Sequence, residues 1–268
     1  MKNCILKALL LCSFFILFSC ENKKVQPETK SNKSEINLNK AGVVLTFDDA
    51  YIEEWFAADK KFKQYSWKAT FCISKINTLK DSEIKELLEL QKEGHEIAGH
   101  GLHHYNAVKY TEKYGIDNYI KWEINPMLDI MKQHSLKVTS FAYPDGERNA
   151  KLDSALMGKF KMVRGSVFGE RDPSKQYCYF NNCRIVFGFD IDNEHVNFNV
   201  PYLLKLLDYA KKNNKVLILC SHKVVNNVTK NYQLKTETLE LICKYIQQNN
   251  MKFYTLTDLY TLKKIASK

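Results

Sequence analysis

Three short segments of the chain carry side chains that could do chemistry together. Two adjacent carboxylates, Asp48 and Asp49, precede two histidines four residues apart, His100 and His104. A separate histidine, His222, lies far downstream in the segment LCSH. Catalytic zinc sites are built from carboxylate and imidazole ligands and keep one position open for water. The set therefore predicts metal-assisted hydrolysis.

The two aspartates can take separate roles, since neighbouring residues that leave a strand point in different directions. One division of labour makes Asp49 a metal ligand and Asp48 a base. Two like charges so close together would raise the pKa of one carboxyl unless a cation lay nearby. An alternative is that the pair caps the helix that begins near Tyr51.

The histidines also have alternatives. A helical turn would bring His100 and His104 to one face, where both could bind the ion. His103 lies between them and competes for the same role, whereas His95 falls inside a predicted strand and is expected to be packed there. His222 follows the apolar run VLILC and is placed to donate a proton, although a lone histidine after a buried strand can also be structural.

Apolar runs of strand length alternate with helical patterns along the chain, which predicts parallel strands with helices packed outside. About seven such units without a glycine-rich phosphate loop favour a barrel, and each candidate residue follows a strand. The carboxyl ends of barrel strands meet at one rim, where active sites collect. The predicted strands are 42–47, 68–73, 95–98, 139–143, 162–164, 185–187, 216–220 and 252–254, and the predicted helices are 51–65, 81–93, 116–134, 201–213 and 236–249.

The start of the chain predicts export. Residues 1–19 combine Lys2 and Lys7 with an apolar run that is too short to span a bilayer, as in a signal peptide. Cys20 ends the segment LFSC, which resembles the bacterial lipoprotein processing box, so we expect a lipidated Cys20; an uncleaved short anchor is the alternative. Residues 20–40 are polar and predict a flexible tether, and residues 41–268 a single domain. The expected location is the bacterial cell envelope, as a periplasmic or outer-membrane lipoprotein.

The net charge and the cysteines indicate which binding partners and which covalent links to expect. The formal net charge of +10 is spread over many lysines and does not form one basic block, so nucleic-acid binding is not expected. Cys72 and Cys220 lie in apolar strands and are expected to be buried. Cys178 and Cys183 could pair in an oxidising periplasm. We expect a monomer.

Taken together, four segments resemble the polysaccharide deacetylase family, also called carbohydrate esterase family 4, over roughly residues 42–260. They are TFDDA at 46–50, GHEI at 94–97 with HGLHH at 100–104, FAYPDG at 141–146 and LCSH at 219–222. The resemblance implies a distorted (β/α)7 barrel of the α/β class. It also implies a hydrolase that uses a divalent metal, most simply Zn²⁺, to release acetate from N-acetylated sugars of a polysaccharide or oligosaccharide.

The resemblance also implies a role for each matching position. The base would be Asp48, the metal ligands Asp49, His100 and His104, the acid His222, and the oxyanion donor the backbone amide of Asp145.

Two positions depart from the family pattern near the base. Ala50 replaces a glycine, a modest change if the local backbone has a negative φ. Ala142 lies where many members carry an arginine that orients the base.

The fourth motif of the family, Asp-x-x-Asp-Trp, is missing. Arg184 in the segment CRI is the preferred residue to orient His222, because the FAYP branch tends to have an Arg-Ile pair there. Asp190 and Asp192 are the alternatives.

Two other functions stay open. The same residues could cleave O-acetyl esters of a xylan-type glycan, or the chain could be a catalytically impaired glycan-binding lipoprotein. Selectivity is expected to come from rim loops at Lys109 to Tyr119 and Gly165 to Tyr179. The glycan and the native metal stay open as well.

Overall fold

Strands and helices alternate along the chain. The computed structural model describes residues 40–167, 169 and 171–266. The strands are β1 Gly42–Asp49, β2 Thr70–Ile73, β3 Glu96–Gly99, β4 Val138–Ala142, β5 Met162–Val167, β6 Ile185–Asp190, β7 Val216–Ser221, β8 Lys223–Val225, β9 Gln233–Lys235 and β10 Lys252–Tyr254. The helices are α1 Ile52–Phe62, α2 Asp81–Lys92, α3 Ala107–Tyr114, α4 Ile116–Tyr119, α5 Asn125–Gln133, α6 Ala150–Met157, α7 Val200–Lys212, α8 Thr236–Gln248 and α9 Leu256–Ala266.

Within the described ranges, the main sheet is parallel and has the order β10-β1-β2-β3-β4-β5-β6-β7. A further pairing of β1 with β7 closes the first seven strands into a barrel. The predicted α/β fold, a seven-stranded barrel, is therefore confirmed.

The barrel is distorted between β1 and β2. The first residues of β1, Gly42–Val44, pair with β10, and its last residues, 46–49, pair with β2. β10 thus fills the base of the opening, while the carboxyl ends of β1 and β2 stay together at the rim.

Most predicted elements lie where the structure has them, and the misses are mainly short helices. The predicted helix 116–134 is continuous through α4, a π-helical turn at Ile120–Ile124 and α5. The expected rim loop from Lys109 to Tyr119 is wrong, because most of it is helical in α3 and α4. Only Ala107 of α3 is buried, so the helix has too little apolar periodicity to predict it. The second expected loop likewise begins inside β5.

Aromatic packing fixes α1 against the barrel. The ring of Trp55 stacks on Phe71 with 5.1 Å between centroids, and Phe47 stacks on the same ring. His95 is packed beside this cluster, as expected, and its Nε2 donates to Asp59 Oδ1 at 2.8 Å. The histidine of the GHEI segment is therefore structural.

Glu96, next to His95, ties together the base of the barrel. Its carboxylate accepts hydrogen bonds from Ser140 Oγ at 2.6 Å and from the Thr257 backbone N–H at 2.9 Å. Thr257 lies at the start of α9, so this buried carboxylate joins two strands to the last helix.

Cys72 and Cys220 are buried, as expected. The possible disulfide is not formed: Cys178 is buried, Cys183 is exposed, and both are free thiols. None of the helices in the described ranges has the length and apolar character needed to span a bilayer. The predicted signal peptide, Cys20 and nearly all of the predicted tether lie outside the described residues.

Candidate active site

One pocket of about 400 Å³ lies at the carboxyl rim of the barrel. Strands that are distant in sequence each deliver a polar side chain to it, as expected for this rim. Its lining residues are Asp48, Asp49, His100, His104, Asp145, Gly146, Ser166, Asp190, His195, Cys220, His222 and Tyr232.

Asp49, His100 and His104 converge at one edge of this pocket. The Nε2 atom of His104 lies 3.2 Å from His100 Nε2 and 3.3 Å from Asp49 Oδ1, and His100 Nε2 lies 4.0 Å from the same oxygen. Metal–ligand bonds of about 2.0–2.2 Å in a tetrahedral zinc site would place ligand atoms about 3.3–3.6 Å apart. The donor types and their spacing therefore fit a divalent metal ion.

The protonation of His100 suits a metal ligand. Its Nδ1–H donates to the Ala142 carbonyl at 2.9 Å, which leaves the Nε2 lone pair facing the pocket. Burial, opposed by the charge of Asp48, lowers the pKa of His100 to about 4. The imidazole is therefore neutral at physiological pH.

The loop between the two histidines is irregular, so the expected helical turn is wrong. Gly101 and His104 both have positive φ, 84° and 64°. A Cβ at Gly101 would lie only 2.6 Å from Glu123 Oε1, so the loop needs glycine there. The imidazoles meet because this loop folds back, and not because they share a helical face.

Glu123 holds the loop from the π-helical turn. Its Oε1 accepts from the backbone N–H groups of His103 at 2.8 Å and Tyr105 at 3.2 Å. The Nδ1 of His103 contacts Glu123 Oε2 at 2.9 Å. This contact draws His103 away from the other imidazoles, so it does not compete as a metal ligand. No pattern in the sequence points to Glu123.

Asp48 forms an ion pair with Arg164 inside the barrel. One terminal nitrogen of the guanidinium donates to both carboxylate oxygens, and both residues are buried. Burial alone would raise the pKa of Asp48, but the charges of Arg164, His100 and His222 outweigh it and lower the pKa to about 2. The carboxylate is thus ionised and held in one direction.

Arg164 supplies a cation that the FAYP segment lacks. It lies on β5 directly opposite Ala142 of β4, where the two Cα atoms are register partners. The small side chains of Cys72, Ala98 and Ala142 cluster inside the barrel and leave room for the guanidinium. Sequence reasoning missed this role, and the available signal was a single arginine within an otherwise uncharged strand.

His222 is oriented by Asp192. The His222 Nδ1–H donates to Asp192 Oδ2 at 2.5 Å, and Ser221 Oγ donates to the other carboxylate oxygen at 2.5 Å. Burial favours the neutral ring, but the hydrogen bond and charge of Asp192 outweigh it and raise the pKa of His222 to about 9. Trp55 Nε1–H also donates to the His222 carbonyl at 2.8 Å, which fixes the end of β7.

The preference for Arg184 as the partner of His222 is wrong. Its guanidinium donates to the carbonyls of Met157, Phe160 and Lys161. Arg184 directly precedes β6 and therefore lies at the amino end of the barrel strands, opposite the rim that carries His222. Asp192, one of the two alternatives, follows β6 and makes the contact instead.

Asp190 stands beside this pair. Burial, with the nearby charge of Asp192, raises the pKa of Asp190 to about 6. The ligand atoms of Asp190, Asp192 and His222 also lie within 4.8 Å of one another. A protonated His222 that donates to Asp192 is a poor metal ligand, so the first donor set fits an ion better.

Asp145 lines the pocket with a left-handed backbone, φ 58°. Its Oδ2 accepts from Asn106 Nδ2 at 3.0 Å, and the oxyanion role of its backbone amide stays a prediction. Asp49 is also left-handed, with φ 86°, whereas Ala50 is not among the described residues with positive φ. The replacement of glycine by Ala50 is therefore tolerated.

A family model described as polysaccharide deacetylase matches residues 35–159. The fold is similar to the Xyl-CE4 domain of a multidomain xylanase from the hindgut metagenome of Trinervitermes trinervoides, with a TM-score of 0.57 and 16% identity over 84% of this chain and 92% of that one. It is also similar to the peptidoglycan deacetylase PdaC from Bacillus subtilis, with a TM-score of 0.51 and 19% identity over 86% and 95%. A third similar structure is a mutant of BA3943, a CE4 family pseudoenzyme with restored enzymatic activity, with a TM-score of 0.52 and 16% identity over 83% and 68%. No protein with a curated description matches the sequence.

The candidate metal site predicts an effect that can be measured without substrate. His104→Gln should weaken Zn²⁺ or Co²⁺ binding by at least about tenfold, because one of three ligands is lost. His103→Gln is the matched control and should bind nearly as well as the wild type. Calorimetric titration of metal-free protein measures both. Equal affinities for the two variants would contradict the assignment.

Proposed function

We propose that the chain is a polysaccharide deacetylase that hydrolyses N-acetyl groups of a polysaccharide or oligosaccharide and releases acetate; the family match over residues 35–159 supports this proposal. One observation carries the proposal: a single pocket holds a metal-type donor set, a separate ionised carboxylate and a histidine with a raised pKa. Metal-assisted acyl hydrolysis needs these three parts.

Asp49, His100 and His104 would hold the metal, and two imidazole nitrogens with one carboxylate oxygen favour Zn²⁺. A divalent ion in this place would polarise the acetyl carbonyl and acidify water. The carbonyl of Ala142 keeps the His100 ring in the required tautomer.

Asp48 accepts the proton of the attacking water. Its ion pair with Arg164 keeps the carboxylate ionised and aimed in one direction. Arg164 is thus a positioning residue, and Asp48 is the catalytic base.

His222 then acts as the acid. Attack on the acetamide gives a tetrahedral oxyanion, which the backbone amide of Asp145 would stabilise; loss of such a donor typically costs about 3–4 kcal/mol. When the carbon–nitrogen bond breaks, protonated His222 delivers its proton to the departing amine. The products are acetate and an amino sugar.

The fold alone does not guarantee activity, because BA3943 is described as a pseudoenzyme with this fold. Two contacts nevertheless support turnover by this chain over a role in binding alone. Arg164 contacts the proposed base in place of an arginine at position 142, and Asp192 contacts the proposed acid in place of the missing fourth motif.

The leading segment supports a proposed location. We place the protein in the bacterial cell envelope, exported by residues 1–19 and held at the membrane by lipid on Cys20, with an acetylated glycan as its partner. Cell fractionation tests this, and a wholly soluble protein would contradict it.

The direct test is acetate release from N-acetylated and O-acetylated glycans, with chelation and zinc add-back. Asp48→Asn should lower the rate by about 10²–10⁴-fold while metal binding persists, because the base is lost and the metal-type donor set is kept. Thermal unfolding checks that the variant stays folded without the charge that pairs with Arg164. Asp172→Asn, the same change at an exposed loop position, should be near wild type. If no acetate is released from any glycan by the zinc-loaded protein, the hydrolase proposal fails.

Comparison of amide and ester substrates separates the proposal from the O-acetyl esterase alternative. An alkoxide leaves more readily than an amine, so an ester depends less on a proton donor. His222→Ala should therefore lower acetate release from N-acetyl sugars by about 10²-fold or more and affect O-acetyl sugars much less. Activity on O-acetyl sugars alone would favour the esterase.

The contact between Asp192 and His222 predicts a pH effect. Activity that needs protonated His222 is lost as the pH rises through its pKa, which Asp192 raises. Asp192→Asn removes that charge, so the alkaline limb of the kcat/KM profile should move to lower pH. Ser221→Ala keeps the carboxylate and should leave the limb close to its wild-type position. An unmoved limb in Asp192→Asn would show that another group titrates.

A further inference from the structure

A second concave surface lies beside the catalytic pocket and is rich in exposed aromatic rings. Tyr105, Tyr114 and Trp122 are 48%, 50% and 54% exposed, and all three line one groove of about 540 Å³. Exposed aromatic residues grouped in this way commonly mark binding surfaces. We call this surface the aromatic groove and define it by Tyr105, Lys109, Tyr110, Lys113, Tyr114 and Trp122.

The rings of the groove support one another. Tyr105 stacks on Tyr110 with 5.4 Å between centroids and 25° between planes, and Tyr114 lies 5.0 Å from Tyr110. Tyr110 in turn packs against the fully buried Tyr119 at 5.6 Å. The tyrosines therefore form an ordered array, and little side-chain entropy would be lost when a ligand binds.

The groove adjoins the catalytic pocket, although no residue of the described ranges lines both. Tyr105 follows His104 directly, and both lie on the loop that Glu123 holds. Asn106, which also lines the groove, donates from Nδ2 to Asp145 of the pocket at 3.0 Å. A chain that leaves the catalytic pocket on this side would pass over the groove.

The lining of the groove fits a sugar chain. It contains aromatic, amine, amide and imidazole groups and no aliphatic side chain. The negative faces of aromatic rings attract the polarised C–H faces of a pyranose ring, while lysine and asparagine can bond to hydroxyl groups. Protein interfaces share the enrichment in aromatic residues but are depleted in lysine, whereas Lys109 and Lys113 both line this groove.

We propose that the aromatic groove binds a further sugar unit of the same acetylated glycan, outside the catalytic pocket. The identity of the glycan rests on the proposed function. The protein would then prefer a polymer or a long oligomer to a single sugar or a dimer, because only a long chain reaches both surfaces.

The test removes two exposed rings whose residues lie outside the loop that carries His100 and His104. Tyr114→Ala/Trp122→Ala is compared with Tyr177→Ala, which removes a tyrosine that is 71% exposed and does not line the groove. Binding is measured by affinity electrophoresis in gels that contain glycol chitin or acetylated xylan, in an Asp48→Asn background that suppresses turnover. Thermal unfolding checks that each variant is folded.

The double variant should bind the retained polymer roughly tenfold more weakly, since two stacking contacts are lost. Tyr177→Ala should bind as before. In an otherwise wild-type chain, the double variant should lower kcat/KM for a hexamer of N-acetylglucosamine and leave kcat/KM for the dimer unchanged.

The proposal would be overturned if the double variant and its control bound the polymer equally well. It would also be overturned if no form of the protein bound either polymer. Ring-dependent binding to phosphatidylglycerol vesicles, with no effect on glycan binding, would assign the groove to a lipid surface instead. If the rings govern polymer binding but no acetate is released, the hydrolase proposal fails while the groove stands.

Discussion

The ion pair between Arg164 and Asp48 determines which side chains can line the barrel interior. A guanidinium out of water is very costly unless it is paired, and removing one partner of a buried pair typically costs about 3–5 kcal/mol. The space around Arg164 is accordingly bordered by small residues: a Cβ added at Gly188 would come within 3.3 Å of Arg164 Cδ, and Cys72, Ala98 and Ala142 cluster nearby. The carboxylate of Asp48, the proposed base, is thus fixed from the centre of the fold and not from a surface loop.

Two histidines of the pocket have opposite pKa shifts because their surroundings differ. His100 is buried beside a carbonyl acceptor, and its pKa is lowered to about 4. His222 donates to a carboxylate, and its pKa is raised to about 9. Near neutral pH, the imidazole of His100 is therefore neutral, as a metal ligand must be, and that of His222 is charged, as a proton donor must be. The same side-chain type serves both sides of the pocket because its second nitrogen meets a different partner in each place.

Much of the fold and part of the site could be predicted from the sequence. The barrel strands are apolar runs that end at the polar rim residues, so local pattern revealed both the strands and the placement of Asp49, His100 and His104. Contacts that depend on the register of neighbouring strands left no such pattern. Arg164 reaches Asp48 because β5 pairs with β4. The prediction that Arg184 orients His222 is wrong for a similar reason: Arg184 lies at the amino end of β6, and His222 lies at the carboxyl rim.

The exchange of Ala142 and Arg164 across neighbouring strands bears on how sequences of this kind are sorted into active and inactive members. A survey that checks each motif position separately would score Ala142 as the loss of an essential group. Two residues that face each other in adjacent strands can deliver a side chain to the same place, so the unit to compare is the pair and not the position. A survey that compares the pair would keep chains with this arrangement among the candidates for catalysis.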